Sequence, residues 1–208
     1  MSEITYVNIR KEHAKQLRQL QLICFPTVPP EDLFLEEELI EMVDIFPDGV
    51  FVALDGDKVV GLGAGHFTDF DFGDHNHTMM DMIEAGHDPD GDYYYGTDIS
   101  VHPDYRRRGI GGRLYELRKE VVRKFNRKGI VAGGFIPGFA NYKADMDARS
   151  YVDKVVAGEL YDPTLSMQLR QGFKVRGILS DYMRVGKSDG YATLIVWENP
   201  DYHEEELT

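Results

Sequence analysis

Between Ile99 and Leu114 the chain reads Ile-Ser-Val-His-Pro-Asp-Tyr-Arg-Arg-Arg-Gly-Ile-Gly-Gly-Arg-Leu, with Arg106, Arg107 and Arg108 running straight into Gly109, Gly111 and Gly112. Glycine lets a backbone take positive φ and come close to a ligand, and arginine meets phosphate oxygens with a planar fork of donors. The formal charge of the chain is −13, so three consecutive cations beside a flexible turn stand against the overall balance. Such a stretch can hold an anion, most naturally a phosphate or pyrophosphate. A solvated charge run and an ordinary turn are the plain alternatives.

Other residues could also do chemistry. Asp98 interrupts Tyr-Gly-Thr-Asp-Ile-Ser-Val, where a carboxylate is costly to bury unless donors meet it. Tyr95 precedes it by three, and the period of two puts the pair on opposite faces of a strand, unable to address one ligand. Asp71, Asp74, His75 and His77 mix metal-ligating types, and Asp88-Pro-Asp-Gly-Asp92 has the oxygen density of a calcium loop. Neither keeps a known ligand spacing and the second lacks the bidentate glutamate, so no metal is expected and a solvated acidic insertion is the reading. Cys24 is the single cysteine, which excludes an internal disulfide; in the pattern Ala14, Leu17, Leu20, Cys24 it reads as a packed thiol rather than a nucleophile.

The elements that must position these groups follow from periodicity. Tyr93 to Val101 is rich in aromatic and β-branched residues, and Pro103 denies the ladder an N–H and closes the strand. Leu114, Leu117, Val121, Val122 and Phe125 then recur at helical spacing, with Glu116, Lys119, Glu120, Arg123 and Lys124 on the other face. The glycines thus lie where a strand passes into a helix, whose first turn offers free N–H groups and the positive end of its dipole. Two familiar phosphate loops fail: the dinucleotide fingerprint needs glycine where Leu114 stands, and no Gly-Lys-Ser/Thr of a Walker loop occurs.

With 208 residues, 42% hydrophobic and 28% charged, the chain suits one domain with insertions. No apolar run approaches the roughly 20 residues of a membrane span, and Met-Ser-Glu-Ile is no secretory signal, so a cytoplasmic location without membrane contact is expected. The acidic balance argues against nucleic acid and for a small cationic partner; a homodimer stays open. Expected in order are a strand over Ile4 to Ile9, a helix over Glu12 to Cys24, a helix opened by Pro30, and strands Val50 to Leu54 and Lys58 to Gly65 around Asp55-Gly56-Asp57. A polar insertion at 68–92 holds seven aspartates and a short helix over Thr78 to Ala85. After the glycine turn and its helix come strand Gly129 to Ile136, an insertion at 137–162 with helix Ser150 to Gly158, and a helix from Asp162-Pro163 to Gln171 closed by Gly172-Phe173. Strands Lys174 to Ser180 and Tyr191 to Trp197 finish the fold, and the tail Glu204-Glu205-Glu206 is expected to fray.

Arg106-Arg-Arg-Gly-Ile-Gly111, after a strand ending in Val101-His-Pro103, resembles the acetyl-CoA loop of the GNAT N-acetyltransferase superfamily, and the element order and Gly172-Phe173 match that superfamily over nearly the whole chain. More narrowly, Ile130-Val-Ala-Gly-Gly-Phe-Ile-Pro-Gly138 and Gly190 to Pro200 look like the acetyltransferase-like domains that in some bacteria precede a carbon-nitrogen hydrolase domain. The resemblance implies an α/β fold, a mixed and mostly antiparallel sheet flanked by helices, in a single domain spanning 1–208 that can stand alone. It implies acetyl-CoA as co-substrate, its pantetheine held by the backbone of Ile99, Ser100 and Val101 and its pyrophosphate by Arg106, Arg107, Arg108, Gly109, Ile110, Gly111, Gly112 and Arg113.

The chemistry implied is direct attack of a primary amine on a thioester, which asks the protein for proximity, a stabilised oxyanion and two proton transfers. Members of the superfamily often carry a tyrosine four residues before the Gly-Phe glycine, poised to protonate the thiolate; here Gln168 stands there and cannot transfer a proton at neutral pH. Ser166, Tyr142, Tyr161, Tyr182 or a water are the other donors open. For the base, Tyr95 and Asp98 lie on the signature strand, with Asp98 either base or amine anchor, or a structural hydrogen-bonding residue. The expectation is an N-acetyltransferase acting on a small cationic amine; the alternative is an acyl-CoA-binding module without turnover.

Overall fold

The computed structural model describes residues 3–74, 76–183 and 189–204. Its elements run β1 (Ile4–Asn8), α1 (Ala14–Cys24), α2 (Glu36–Ile45), β2 (Phe51–Asp55), β3 (Lys58–Thr68), α3 (Met79–Ala85), β4 (Tyr93–Val101), α4 (Ile110–Lys124), β5 (Gly129–Phe135), α5 (Ala148–Val156), α6 (Leu165–Arg170), β6 (Lys174–Leu179) and β7 (Ala192–Glu198). The chain adopts the expected α/β fold and element order. Its contacts divide it into two compact units, one built from the chain up to Asp69, His87–Ile130 and Glu198 onward, the other from Phe70–Gly86 and Val131–Trp197.

In the first unit β1, β2, β3 and β4 lie in sequence order, each antiparallel to the next. Alternation along β3 sends Leu62 and Ala64 to one face and Gly61 and Gly63 to the other. Gly63 lies close to Leu114 and Arg118, so that second face belongs to α4, while α1 covers the first. Leu17 and Leu20 of α1, Val52, Leu62, Ala64, Ile110, Leu114 and Val122 are fully buried between these layers.

The β3–β4 register steps from Ala64↔Asp98 to Gly65↔Gly96, leaving Thr97 as an extra residue in β4. This β-bulge needs Gly65, because a Cβ there would collide with the Tyr95 carbonyl and the Tyr94 ring. It also overturns one expectation. Tyr95 pairs with His66 and Asp98 with Ala64, two residues of one β3 face, so Tyr95 and Asp98 share the α1 face instead of opposing each other. Strict alternation failed because it assumes no inserted residue.

In the second unit the strand order is β5, β7, β6, with β6 and β7 antiparallel. Asp147 caps α5, accepting from Ser150 N at 2.7 Å, so that helix starts two residues before Ser150. Asp162, fully buried, accepts from Thr164 N at 2.8 Å and Leu165 N at 2.9 Å, and its other oxygen from Gly138 N at 2.9 Å and Tyr151 Oη at 3.0 Å. The cap expected at Asp162 is present, although the helix proper spans only Leu165–Arg170.

Three further readings shift. Pro30 opens only a 3₁₀ turn, Pro30–Asp32, and α2 begins at Glu36, where the Glu38 carboxylate accepts from Leu35 N at 2.6 Å. On α4 the buried face is Leu114, Tyr115, Arg118, Lys119, Val121 and Val122, so Lys119, expected outside, is 6% exposed and reaches Glu116 at 2.7 Å. His75, Glu205 and Glu206 lie outside the described residues; among those described, no group of three or more His, Cys, Asp or Glu could hold a metal ion, and no helix is long and apolar enough to cross a membrane.

Candidate acyl-CoA site

The anion turn is built as its letters demand. A 3₁₀ turn, Pro103–Tyr105, follows β4, and Gly109 takes the left-handed conformation at φ 83° as the N-cap of α4. Arg107 is left-handed too, at φ 60°, which is uncommon for a side chain of its size. The helical ladder begins with Arg113 N donating to Gly109 O at 3.0 Å, so the N–H groups of Ile110, Gly111 and Gly112 have no carbonyl behind them. A Cβ at Gly109 would meet nothing within 4 Å, and one at Gly111 would meet only Val101 Cγ2, at 3.9 Å. The glycines therefore leave a bare cradle of donors, which fits a pyrophosphate.

Around it Arg106, Arg107 and Arg108 are exposed. Arg106 Nε donates to Val101 O at 3.2 Å, fastening the turn to the strand end. Ile110 is buried beneath the turn and serves packing. Arg113 is engaged elsewhere: its Nη1 pairs with Glu120 at 2.7 Å, about two turns along α4. Ile99 and Val101 are half-buried, and their side chains share the α4 face with Gly63 and Gly61.

Asp98 sits on the other face, 8% exposed. Ser100 Oγ donates to its Oδ1 at 2.5 Å and Gln21 Nε2 to its Oδ2 at 2.9 Å. Burial pushes its carboxyl up to about 6, against the opposing pull of the Ser100 hydroxyl, the Arg118 charge and the Gln21 amide. The group is thereby brought to the range in which it can exchange a proton near neutrality. Tyr95 is fully buried on the same face. Cys24 Sγ donates to Val101 O at 3.4 Å, and burial pushes its thiol up to about 11, as a packed thiol requires.

Gln168 belongs to the second unit. It is 3% exposed and lies against β5, where a Cβ on Gly134 would stand 2.6 Å from its Oε1. Of the alternative proton donors, Tyr161 is 65% exposed, Tyr182 is buried over Gly133, Ser166 Oγ accepts from Asp162 N at 3.0 Å, and the Tyr142 ring centroid is 5.4 Å from that of Tyr151.

Two residues escaped the sequence reading. Gln21 follows Leu17 by four on the buried stripe of α1, and Arg118 follows Leu114 by four on that of α4; a polar residue on an apolar stripe is the signal each gave. Arg118 is 2% exposed, donates from Nη2 to Ala64 O at 2.8 Å, and lies 5.7 Å and 5.6 Å from the ring centroids of Tyr94 and Tyr115. It grips β3 at the residue where the bulge begins.

Comparison with known proteins gives the same direction. A family model described as Acetyltransferase (GNAT) family matches residues 14–133. The chain is 39% identical over 200 residues to "Probable hydrolase YhcX" of Bacillus subtilis (strain 168), covering 94% of this chain but 38% of that protein. It is 31% identical over 204 residues to "Uncharacterized N-acetyltransferase YkwB" of the same organism, covering 96% of this chain and 90% of the relative. Among solved structures, the loading GNATL domain of CurA from Lyngbya majuscula superposes with a TM-score of 0.82 at 21% identity, covering 95% of this chain and 98% of that one.

Proposed function

We propose that this chain, which as a member of the acetyltransferase (GNAT) family is an acyltransferase with acetyl-CoA as co-substrate, acetylates a primary amine, a small cationic one, by direct attack in the cytoplasm. The observation that carries this reading is the bare cradle at Gly109 and Gly111, flanked by Arg106 to Arg108 and joined directly to the strand that bears Asp98. We treat the two units as one acyltransferase domain.

Bound acetyl-CoA supplies the thioester carbonyl. In this reading the N–H groups of Ile110, Gly111 and Gly112 and the guanidinium groups of Arg106 to Arg108 hold the pyrophosphate. The backbone of Ile99, Ser100 and Val101 orients the pantetheine, so that the amine meets the carbonyl in attack geometry. The amine nitrogen bonds to the carbonyl carbon, the carbon–sulfur bond breaks, and the ammonium proton passes to Asp98 directly or through a water. Gln168 contributes a hydrogen bond and not a proton. A coenzyme thiol leaves readily as thiolate, so water can protonate it.

A second reading, an acyl-CoA-binding module without turnover, is favoured by Gln168 standing where an acid is expected. Release of free CoA thiol across a panel of amines separates the two. Turnover with at least one amine supports the enzyme; stoichiometric acetyl-CoA binding with no thiol release above the buffer rate supports the module.

A further inference from the structure

Tyr105 carries two cations on one ring. The Arg108 guanidinium lies 4.9 Å from its centroid and Lys58 Nζ 5.0 Å, while its hydroxyl donates to Asp55 Oδ2 at 2.8 Å. Asp55 and Lys58 face each other across the β2–β3 hairpin, so Tyr105 ties that hairpin to the glycine turn. Exposed basic side chains elsewhere on α4 and just after it are taken: Arg113 by Glu120, Arg123 by Asp201, Lys124 by Asp48, and Lys128 by Asp92. Among the described residues Lys58 and Arg108 have no carboxylate within ion-pair distance, although Asp55 and the exposed Asp104 belong to the same neighbourhood. In a chain of charge −13, two exposed cations set on a shared aromatic platform beside an anion cradle are an arrangement with a use.

We propose that Lys58 and Arg108, held on Tyr105, form a second anion subsite fitted to a phosphate monoester, and that its ligand is the 3′-phosphate of the coenzyme's ribose. The inference rests on the acetyl-CoA reading above and adds a discriminating residue, Lys58, that lies far from the glycine turn in sequence. A phosphate monoester carries between one and two negative charges at neutral pH, more than one cation balances. The arginine supplies a fork of donors and the lysine a mobile point charge. Tyr105 keeps both in place before binding, which lowers the ordering cost that long exposed side chains otherwise meet.

Calorimetric titration with CoA and with 3′-dephospho-CoA tests it without turnover. The protein should bind CoA about tenfold or more tightly than the dephosphorylated form. Lys58→Ala should bring that ratio below about threefold while leaving 3′-dephospho-CoA affinity unchanged, and raised salt should shrink the ratio in the unaltered protein. Equal binding of the two ligands by the unaltered protein, or a full ratio in Lys58→Ala, would overturn the subsite. Binding of 3′-dephospho-CoA keeps the acetyl-CoA reading standing in either case; if neither ligand binds, that reading falls and the subsite with it.

Discussion

Gln21 in α1 donates to Asp98 Oδ2 in β4 across 2.9 Å, joining residues 77 positions apart. With Ser100 on the other oxygen, the carboxylate is fixed in direction and its burial is offset by two donors. Asp98→Asn keeps shape and hydrogen-bonding capacity but removes the proton acceptor. The variant should bind acetyl-CoA normally, lose about 10²- to 10⁴-fold in turnover, and regain part of it at high pH where the amine is already free. Full activity near neutrality in a folded Asp98→Asn protein would show the aspartate to be structural.

The same residue makes stability depend on pH. Its folded pKa, about 6, lies above the unfolded carboxylate value, so the fold favours the protonated form. This contribution is complete below the unfolded pKa and is lost as pH rises through the folded one, amounting to about 3 kcal/mol. Asp98→Asn should therefore gain melting temperature relative to the unaltered protein as pH rises from about 4 to about 7, by several degrees, and hold that gain above it. Scanning calorimetry across that range checks it; a Tm difference that does not change with pH counts against the buried-carboxylate account.

Gly111→Val places a side chain in the cradle while meeting only Val101 within the protein, at 3.9 Å for its Cβ. CoA binding should vanish from a calorimetric titration while circular dichroism and melting temperature stay close to those of the unaltered protein. Unchanged affinity in this variant would remove the pyrophosphate from the turn.

Charge should select the acceptor. Residues 29–38 hold five carboxylates and residues 69–92 eight, against no lysine or arginine in either stretch. A polyamine or other cationic amine should show the highest kcat/KM, and that constant should fall as salt rises from low to physiological strength. A best substrate that is neutral or anionic, with kcat/KM indifferent to salt, would refute the steering.

Where the chain speaks locally, its sequence is legible. Tyr93–Val101 is a strand over the residues its composition marks, because Asp92 and Pro103 punctuate it at both ends, and the Arg106 to Gly112 turn forms where glycine, arginine and helix start coincide. What depends on a partner distant in sequence is not legible. The bulge at Thr97 arises from pairing with β3 and from the bare Gly65, so no reading of β4 alone could place Tyr95 and Asp98 on one face. Gln21 and Lys58 carry no motif; each gains its role from residues that folding brings near, Asp98 in one case and Tyr105 in the other. Pro30 has the residue type of a helix start but not the stripe to sustain one, and α2 waits for the acidic first turn at Glu36.

Thr97 works as a change of parity. On its two sides β4 obeys the same two-residue rule, but odd and even positions trade faces, so the strand's aromatic half and its polar half are written in opposite phase. Removing that one residue would turn Tyr93 to Gly96 over, sending Tyr95 toward α4 and Tyr94 away from the Gly49 carbonyl that accepts its hydroxyl at 2.6 Å. A single-codon deletion there would reverse three tyrosine side chains at once, whereas the loop before α5 can absorb a change of length at its surface. The tolerance of this chain to gain or loss of one residue is thus set by phase as much as by burial.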